Sequence, residues 1–160
     1  MGSTSDLPVM EKAAAFLNTM QIPFEMNALS AHRTPDDVEQ FAKEAANRGV
    51  RVIIAGAGMA AALPGVIAAN TILPVIGVPI KGMLDGLDAL LSIVQMPPGI
   101  PVATTGVNGA LNAAILAAEM LALGDAALAD RLKEYKQGLR EKITKANKEL
   151  AEIRYDFKTN

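Results

Sequence analysis

The stretch from Val52 to Ile80 contains no charged residue, and this feature constrains the fold more than any other. A run of this kind must be buried, either in a membrane or inside a domain. Glycine, proline and asparagine interrupt it, so no continuous span of about 18 apolar residues remains for a membrane helix. Buried parallel strands also produce continuous apolar runs. We therefore expect Val52–Ala55 and Pro74–Val78 to be strands of a parallel sheet, separated by an alanine-rich helix.

Short β-type runs alternate with helical runs through most of the sequence. This alternation predicts an α/β fold in which helices cover both faces of a parallel sheet, and we assign residues 1–124 to that domain. The other predicted elements are helices at Pro8–Met20, from Thr34 to near Gly49, Asp85–Gln95 and Asn108–Leu123, and extended segments at Phe24–Ala28 and Pro101–Thr105. Ligands bind such sheets beside the loops that follow the strands, here Gly2–Asp6, Ser30–Thr34, Gly56–Gly58 and Pro79–Leu84.

Residues 125–160 form a charged helical segment that differs from the rest of the chain. Its apolar residues recur at alternating spacings of four and three: Leu128, Leu132, Tyr135, Leu139, Ile143, Ala146 and Leu150. This pattern gives one narrow apolar stripe on a charged helix. The stripe fits a helix packed on a neighbouring subunit, and equally a helix packed on its own domain with a solvated charged face.

Charge and composition exclude several classes of function. Lys and Arg total 15 and Asp and Glu total 17, so the net charge is −2, which argues against nucleic acid as the main partner. The chain has no Cys and one His, which excludes disulfides, Cys nucleophiles and multi-His metal sites. Hydrophobic residues reach 51% and charged residues only 20%, which predicts surface buried in an oligomer. We also expect no secretory leader, because the amino-terminal residues lack a basic region and an apolar core.

The small residues of Gly2–Asp6 let the backbone approach a ligand, and Ser3 and Ser5 stand at a helix N-terminus, where phosphate can bind. Asp6 would repel phosphate, so it is better suited to accept hydrogen bonds from sugar hydroxyls. The alternative is a plain helix cap formed by Ser5 or Asp6. Only Met1 precedes this loop, although a strand should lead into it. We therefore expect the sequence to begin late, after a leading strand of the sheet.

Ser30–Thr34 is the densest polar cluster in the sequence and contains the only histidine. His32 can move protons near neutral pH, and Arg33 offers a planar fork for phosphate. The alternative is a surface loop that leads into a helix capped by Thr34. From the residues alone, both interpretations remain open.

Gly56-Ala57-Gly58 is a second loop where a ligand could approach the backbone, although it lacks the full dinucleotide-binding pattern. No Gly-x-x-x-x-Gly-Lys-Ser/Thr sequence and no Gly-x-Ser-x-Gly sequence occurs. These absences exclude a P-loop enzyme and a serine hydrolase of the usual α/β kind.

Taken together, the motifs resemble a known family. Gly-Ser-Thr-Ser-Asp, Ser-Ala-His-Arg-Thr-Pro, Ile-Ala-Gly-Ala-Gly, Leu-Pro-Gly-Val, Leu-Pro-Val-Ile-Gly-Val-Pro and Gln-Met-Pro-Pro-Gly occur in that order. From Gly2 to about Ala118 this order resembles the 5-(carboxyamino)imidazole ribonucleotide mutases, the isomerases of bacterial purine synthesis. The resemblance implies a three-layer, flavodoxin-like αβα fold, a cytoplasmic homo-octamer with active sites at subunit contacts, and no metal or other cofactor.

The resemblance also assigns roles to individual residues for a small ribonucleotide substrate. His32 would be the general acid and base, and Ser3, Asp6 and Arg33 would bind the ribose phosphate, with Ser5 beside them. The base and carboxylate pocket would be lined by Ser30, Ala57, Gly58 and Leu63.

One position departs from the pattern of the family. Ala62 stands where the family commonly has a second histidine, directly before Leu-Pro-Gly. Two alternatives therefore stand beside the mutase: direct carboxylation of aminoimidazole ribonucleotide with carbon dioxide, and a non-catalytic ribonucleotide-binding oligomer.

Overall fold

A computed structural model describes residues 1–160 as one α/β unit with a long C-terminal helix. The strands are Ile53–Gly58 (β1), Val75–Ile80 (β2) and Ala103–Thr104 (β3). The α-helices are Leu7–Thr19 (α1), Pro35–Glu44 (α2), Leu63–Ala69 (α3), Leu87–Val94 (α4), Ala110–Ala122 (α5) and Ala126–Glu152 (α6). Two short 3-10 turns occupy Thr4–Asp6 and Ala46–Arg48.

The three strands form a parallel sheet in the order β1-β2-β3. Ile53 pairs with Val75 and Gly58 with Ile80, so β1 and β2 run in register over their whole length. All six residues of β2 are buried, as expected for a strand with neighbours on both edges and helices on both faces. The predicted parallel sheet is confirmed. Both strands of the charge-free stretch begin one residue later than predicted, and they end three residues later in β1 and two residues later in β2.

Helices cover both faces of the sheet, which gives the flavodoxin-like αβα architecture. On one face α1, α5 and the start of α6 pack against Ile76 and Val78. On the other face α2, α3 and α4 pack against Ile53, Ala55 and Val75. The two faces follow from the alternation of side chains along each strand.

Gly77 lets α4 lie directly on β2. A Cβ at this position would collide with the Cγ2 methyl of Ile93 and come within 3.1 Å of Val102 Cγ1. Ile93 is 1% exposed and its backbone lies in a regular helix, so neither side can move away easily. The glycine is therefore a packing requirement of the core.

Two predictions about extended segments are wrong. Phe24–Ala28 forms no strand, because the only backbone pairing along this part of the chain is that of Met1 with Asn27 and Leu29. The Gly56–Gly58 turn is instead the last part of β1, where all three residues pair with β2. The small side chains that indicated a turn allow close packing here: a Cβ on Gly56 would lie 2.5 Å from Met10 Sδ.

The C-terminal helix α6 divides into two parts. Leu128 and Leu132 are buried on the domain, and the ring of Tyr135 packs edge-on against Phe16, with centroids 5.1 Å apart. Ile143 and Leu150, further along the same stripe, are 65% and 55% exposed. The start of the stripe therefore packs on its own domain, and the rest leaves its apolar residues in contact with solvent. No helix of the structure is both long and apolar enough to span a membrane.

Candidate active site

The loops predicted to form the site meet at the carboxyl end of β1. The amide of Gly2 donates a hydrogen bond of 3.1 Å to the carbonyl of Gly56, which brings the first loop beside β1. The amide of Leu29 donates to the carbonyl of Met1 at 2.9 Å, which brings the Ser30–Thr34 loop to the other side of the first loop. The topology expected of a parallel sheet therefore gathers these loops into one group.

Arg33 connects two of these loops. Its Nε donates to Ser30 Oγ at 3.1 Å, and its Nη2 donates to the carbonyl of Gly2 at 3.1 Å. No carboxylate pairs with the guanidinium, although seven other cation–carboxylate pairs form elsewhere in the chain. The guanidinium is thus oriented by neutral oxygens and keeps its full charge available, which suits an anionic ligand.

The backbone of the Ser30–Thr34 loop is fixed from within. Thr34 Oγ1 accepts a hydrogen bond from the amide of Ser30 at 3.1 Å, and the amide of Thr34 donates to the carbonyl of Ser30 at 2.8 Å. Thr34 occupies the N-cap position of α2, as predicted, but its hydroxyl makes no cap hydrogen bond to the helix. The hydroxyl closes the loop instead, and Pro35 begins the helix.

His32 lies at the tip of this closed loop. Its side chain is exposed and makes no hydrogen bond or ion pair with the rest of the chain. Both ring nitrogens are therefore free to meet a substrate. Arg33, the next residue along the chain, is the one whose guanidinium is held by Ser30 and Gly2.

The first loop is held by its own side chains. The Ser3 amide donates to Asp6 Oδ2 at 3.2 Å, and the hydroxyls of Ser3 and Ser5 lie 2.5 Å apart. Asp6 is the one buried charged residue of the chain, at 8% exposure. One carboxylate oxygen thus closes the Thr4–Asp6 turn by accepting from the Ser3 amide, while the other oxygen makes no hydrogen bond within the protein. Asp6 also stands at the N-cap position of α1, but its side chain makes no cap hydrogen bond to that helix.

The remaining predicted site residues, Ala57, Gly58 and Leu63, can present backbone groups to a ligand rather than polar side chains. The methyl group of Ala57 and the side chain of Leu63 belong to the hydrophobic core, at 6% and 3% exposure. A Cβ on Gly58 would lie 3.3 Å from the carbonyl oxygen of Ile80, so this position lies close against β2. Ala62 directly precedes α3, and Met59 and Ala61 just before it have positive φ angles of 52° and 21°. Left-handed backbone in non-glycine residues is strained and is concentrated at functional sites.

Sequence reasoning missed two polar contributions to this edge of the sheet. The carbonyl of Gly2 orients Arg33, and no sequence pattern marks a backbone oxygen for such a role. The side chain of Asn108 accepts a hydrogen bond of 2.9 Å from the amide of Lys81, just after β2, and its φ is 57°. Asparagine tolerates the left-handed region, and its place before a helix was the available signal.

No group of three or more His, Cys, Asp and Glu side chains in the structure is arranged to hold a metal ion. The ionisable side chains of the first loop and of the Ser30–Thr34 loop are Asp6, His32 and Arg33. An imidazole, an unpaired guanidinium and hydroxyl-rich loops can bind a phosphorylated sugar and transfer a proton beside it.

Comparison with known proteins agrees with this geometry. The sequence matches the AIR carboxylase family over residues 1–142. It is 57% identical over 141 residues to the N5-carboxyaminoimidazole ribonucleotide mutase of Pyrococcus abyssi, covering 88% of this chain and 81% of that protein. It is 52% identical over 156 residues to the N5-carboxyaminoimidazole ribonucleotide mutase of Thermotoga maritima, covering 97% and 91%.

The fold agrees with the sequence comparison. The structure is similar to the crystal structure of Treponema denticola PurE, with a TM-score of 0.83, 32% identity and 94% of each chain covered. The family match covers well over half of the chain, and the two curated relatives match along most of their own length. The chain therefore belongs to the AIR carboxylase family.

Proposed function

We propose that this protein is an isomerase of purine biosynthesis that converts carboxyaminoimidazole ribonucleotide by moving its carboxylate from the exocyclic nitrogen to a ring carbon. The observation that carries the proposal is the pair His32 and Arg33. The guanidinium is held by Ser30 and Gly2 without an acidic partner, and the adjacent imidazole has both nitrogens free. The names of the curated relatives support the same reaction.

In this proposal the phosphate of the substrate binds between Arg33 and the first loop, where Ser3 and Ser5 add hydroxyl donors. The free oxygen of Asp6 accepts a hydrogen bond from a ribose hydroxyl. Phosphate binding is remote from the reacting bond, so its binding energy serves to fix the ring beside the imidazole. The backbones of Ala57, Gly58 and Leu63, together with Ser30, border the aminoimidazole and its carboxylate.

His32 carries both proton transfers. The imidazolium donates a proton to the exocyclic nitrogen as the bond from nitrogen to the carboxyl carbon breaks and carbon dioxide is released. The ring carbon then attacks the retained carbon dioxide, and the neutral imidazole removes the proton from that carbon. The enzyme ends in its starting protonation state, so the overall reaction is an isomerisation.

Retention of carbon dioxide requires a closed pocket, whereas Ser5, His32 and Arg33 are exposed in the single chain. We propose that neighbouring subunits close the site in a cytoplasmic homo-octamer. Leu87, Leu91 and Val94 support assembly, because they form an exposed apolar stripe on one face of α4. The exposed part of α6 supplies a second surface, so residues 1–124 would bind the substrate and residues 125–160 would contact a neighbour.

Leu91→Lys tests the assembly by placing a charge in the middle of the α4 stripe. We expect a smaller species in sedimentation velocity and a parallel loss of turnover. Gln40→Lys, on the exposed face of α2, is the matched control and should leave both unchanged. If Leu91→Lys leaves an octamer with full activity, the apolar stripe of α4 is not part of the subunit interface.

A direct assay tests the reaction. The purified protein is mixed with the carboxyamino substrate, without ATP or bicarbonate, and the absorbance of the carbon-carboxylated product is followed. We expect turnover, and we expect no incorporation of labelled carbon dioxide from the medium. Activity that requires added carbon dioxide and incorporates the label would assign the direct carboxylase instead. Binding of aminoimidazole ribonucleotide without any turnover would assign the non-catalytic alternative.

A further inference from the structure

A cleft lies at the amino-terminal edge of the sheet, where the chain enters β1 and β2, at the opposite edge from the candidate active site. It has a volume of about 700 Å³ and is lined by 14 residues, 7 of them hydrophobic. Its apolar wall comes from the sheet, the end of α5 and the start of α6: Val52, Leu73, Met120, Leu121 and Leu128. The size is typical of a small-molecule site, although ligands of parallel sheets usually bind at the other edge.

Two guanidinium groups line this cleft. Arg51 is exposed just before β1, and its side chain makes no hydrogen bond or ion pair within the chain. Arg131 is half-buried on α6, and its Nε donates to the carbonyl of Met20 at 3.0 Å, which holds the side chain in place. Neither Nη atom of Arg131 makes a hydrogen bond. Two cations that share one cleft with their donors unused favour a bound anion.

The one acidic residue of the cleft is engaged elsewhere. Asp125 Oδ1 accepts a hydrogen bond of 3.0 Å from the amide of Leu128 and so caps the first turn of α6. Neither Arg51 nor Arg131 forms an ion pair with it or with any other carboxylate. Two arginines against one aspartate leave the cleft with a net positive charge beside its hydrophobic wall.

Gln21 adds an amide group to the cleft, at a backbone position that favours glycine. Its φ is 56°; its amide donates to the carbonyl of Asn18, and the next amide donates to the carbonyl of Leu17. This is the Schellman ending of a helix, in which glycine usually takes the left-handed position. The other five non-glycine residues with positive φ all follow the carboxyl ends of the strands. Because glycine would relieve the strain, a glutamine here is best explained by a use for its side chain.

We propose that this cleft binds a small organic phosphate, a phosphate monoester joined to an apolar group. The phosphate would bind between the two guanidiniums, because a dianion matches two planar cationic forks better than a single carboxylate does. The amide of Gln21 would donate to the same phosphate, and the apolar group would lie against Leu73, Met120 and Leu128. The cleft shares no residue with the candidate active site, so this proposal does not depend on the proposed function.

Calorimetric titration of the full chain with phenyl phosphate tests the site. Every protein in the series carries Arg33→Ala, which removes the guanidinium proposed to bind phosphate in the active site. We expect one phenyl phosphate per chain and at least about tenfold weaker binding when Arg51→Gln is added. Arg140→Gln is the matched control, because it removes the same charge from an exposed position on α6, and it should leave binding unchanged. No binding, or equal weakening by Arg51→Gln and Arg140→Gln, would overturn the proposal.

Two more ligands separate the phosphate from the apolar group. Inorganic phosphate should bind at least about tenfold more weakly than phenyl phosphate, because it leaves the hydrophobic wall in contact with water. Phenol should not bind measurably, because it lacks the charge that the guanidiniums require. Equal affinity for inorganic phosphate and phenyl phosphate, or equal affinity for phenol and phenyl phosphate, would overturn the proposed class of ligand.

Gln21→Gly distinguishes a binding role of this side chain from a structural one. Loss of the amide donor should weaken phenyl phosphate binding by about threefold, the usual scale for one hydrogen bond. Because glycine accepts the left-handed backbone without strain, Tm should stay equal or rise. Unchanged binding together with a higher Tm would contradict the role given to Gln21, since the glutamine would then carry strain without serving the ligand.

Discussion

Strands β1 and β2 lie side by side in register, yet they differ in what surrounds them. β2 has a strand on each edge and is buried in all six residues. β1 has a regular strand on one edge only, and its carboxyl end carries the loops with the candidate catalytic groups. Dense packing fixes β2, whereas β1 leaves backbone and loops free to contact other groups. The contrast separates a strand that is buried along its whole length from a neighbour whose carboxyl end lies beside the candidate site.

The largest effect is expected on the β1 side, from His32→Asn. Loss of the proton-transferring group should lower kcat by about 10³-fold, within the usual range for general acid–base catalysis. Substrate binding should remain, because the imidazole makes no contact that supports the loop. Steady-state kinetics and calorimetric titration with aminoimidazole ribonucleotide measure the two quantities. Asp37→Asn, in the first turn of α2, is a control that should retain turnover.

On the β2 side, Gly77→Ala should lower the free energy of unfolding by about 2 kcal/mol, the usual scale for overpacking. The added methyl group meets Ile93 and Val102 in the core. Gly138→Ala is the matched control, because a Cβ there meets nothing within 4 Å. Because Gly138 lies inside α6 and alanine favours a helix more than glycine does, this substitution should raise the free energy of unfolding by up to about 1 kcal/mol. Urea denaturation measures both, and equal effects at the two positions would refute the contrast in packing.

Arg33→Ala should weaken substrate binding by about 30-fold, as expected for loss of a charge-assisted contact of about 2 kcal/mol. The kcat at saturating substrate should fall much less. Arg33→Lys should recover part of the affinity, since it restores the charge without the fork that joins Ser30 to Gly2. If His32→Asn and Arg33→Ala weaken binding equally, the division of roles between them is wrong.

The smallest effect concerns the amino group of Met1, beside β1. Its pKa is lowered by burial in the folded protein and lies near 8.0 in the unfolded chain. Between these two values the unfolded chain binds more protons, so the free energy of unfolding should rise with pH and level off above about 8. Acetylation of the amine removes this contribution. Denaturation midpoints are measured with and without the acetyl group from about pH 6 to about pH 9, a range that includes the ordinary pKa of an amino terminus. The plot of midpoint against pH should be steeper for the protein with the free amine. Parallel curves would contradict the assignment.

The sequence predicted the sheet better than its edges. The charge-free stretch identified β1 and β2 because burial on both faces leaves no room for polar residues. Phe24–Ala28 was predicted as a strand from its alternation of apolar and polar residues. That alternation is a property of one segment and does not show whether a partner strand lies beside it. A strand needs a partner along its length, and only Met1 pairs with this segment. Likewise, the glycines at 56 and 58 indicated a turn, although their small size serves the packing of β1.

The candidate site was predicted in part for a similar reason. His32 and Arg33 stood out because they lie in the densest polar cluster of the sequence, which contains the only histidine and follows a predicted strand. The orientation of Arg33 by the Gly2 carbonyl could not be predicted, since the two residues are 31 positions apart and a carbonyl carries no sequence signal. The hydroxyl of Thr34 was expected to cap α2 and instead accepts a hydrogen bond from the amide of Ser30 in its own loop. Local sequence does not decide between these two nearby amide donors.

By itself, the sequence determined the fold class and the residue types available for chemistry, because hydrophobic pattern and side-chain identity are local properties. Only the tertiary structure decided which loops meet at the end of β1 and how far the stripe of α6 packs on its own domain. These features depend on distances between segments far apart in the chain. Such distances are set by the packing of all elements together, and no single stretch of sequence encodes them.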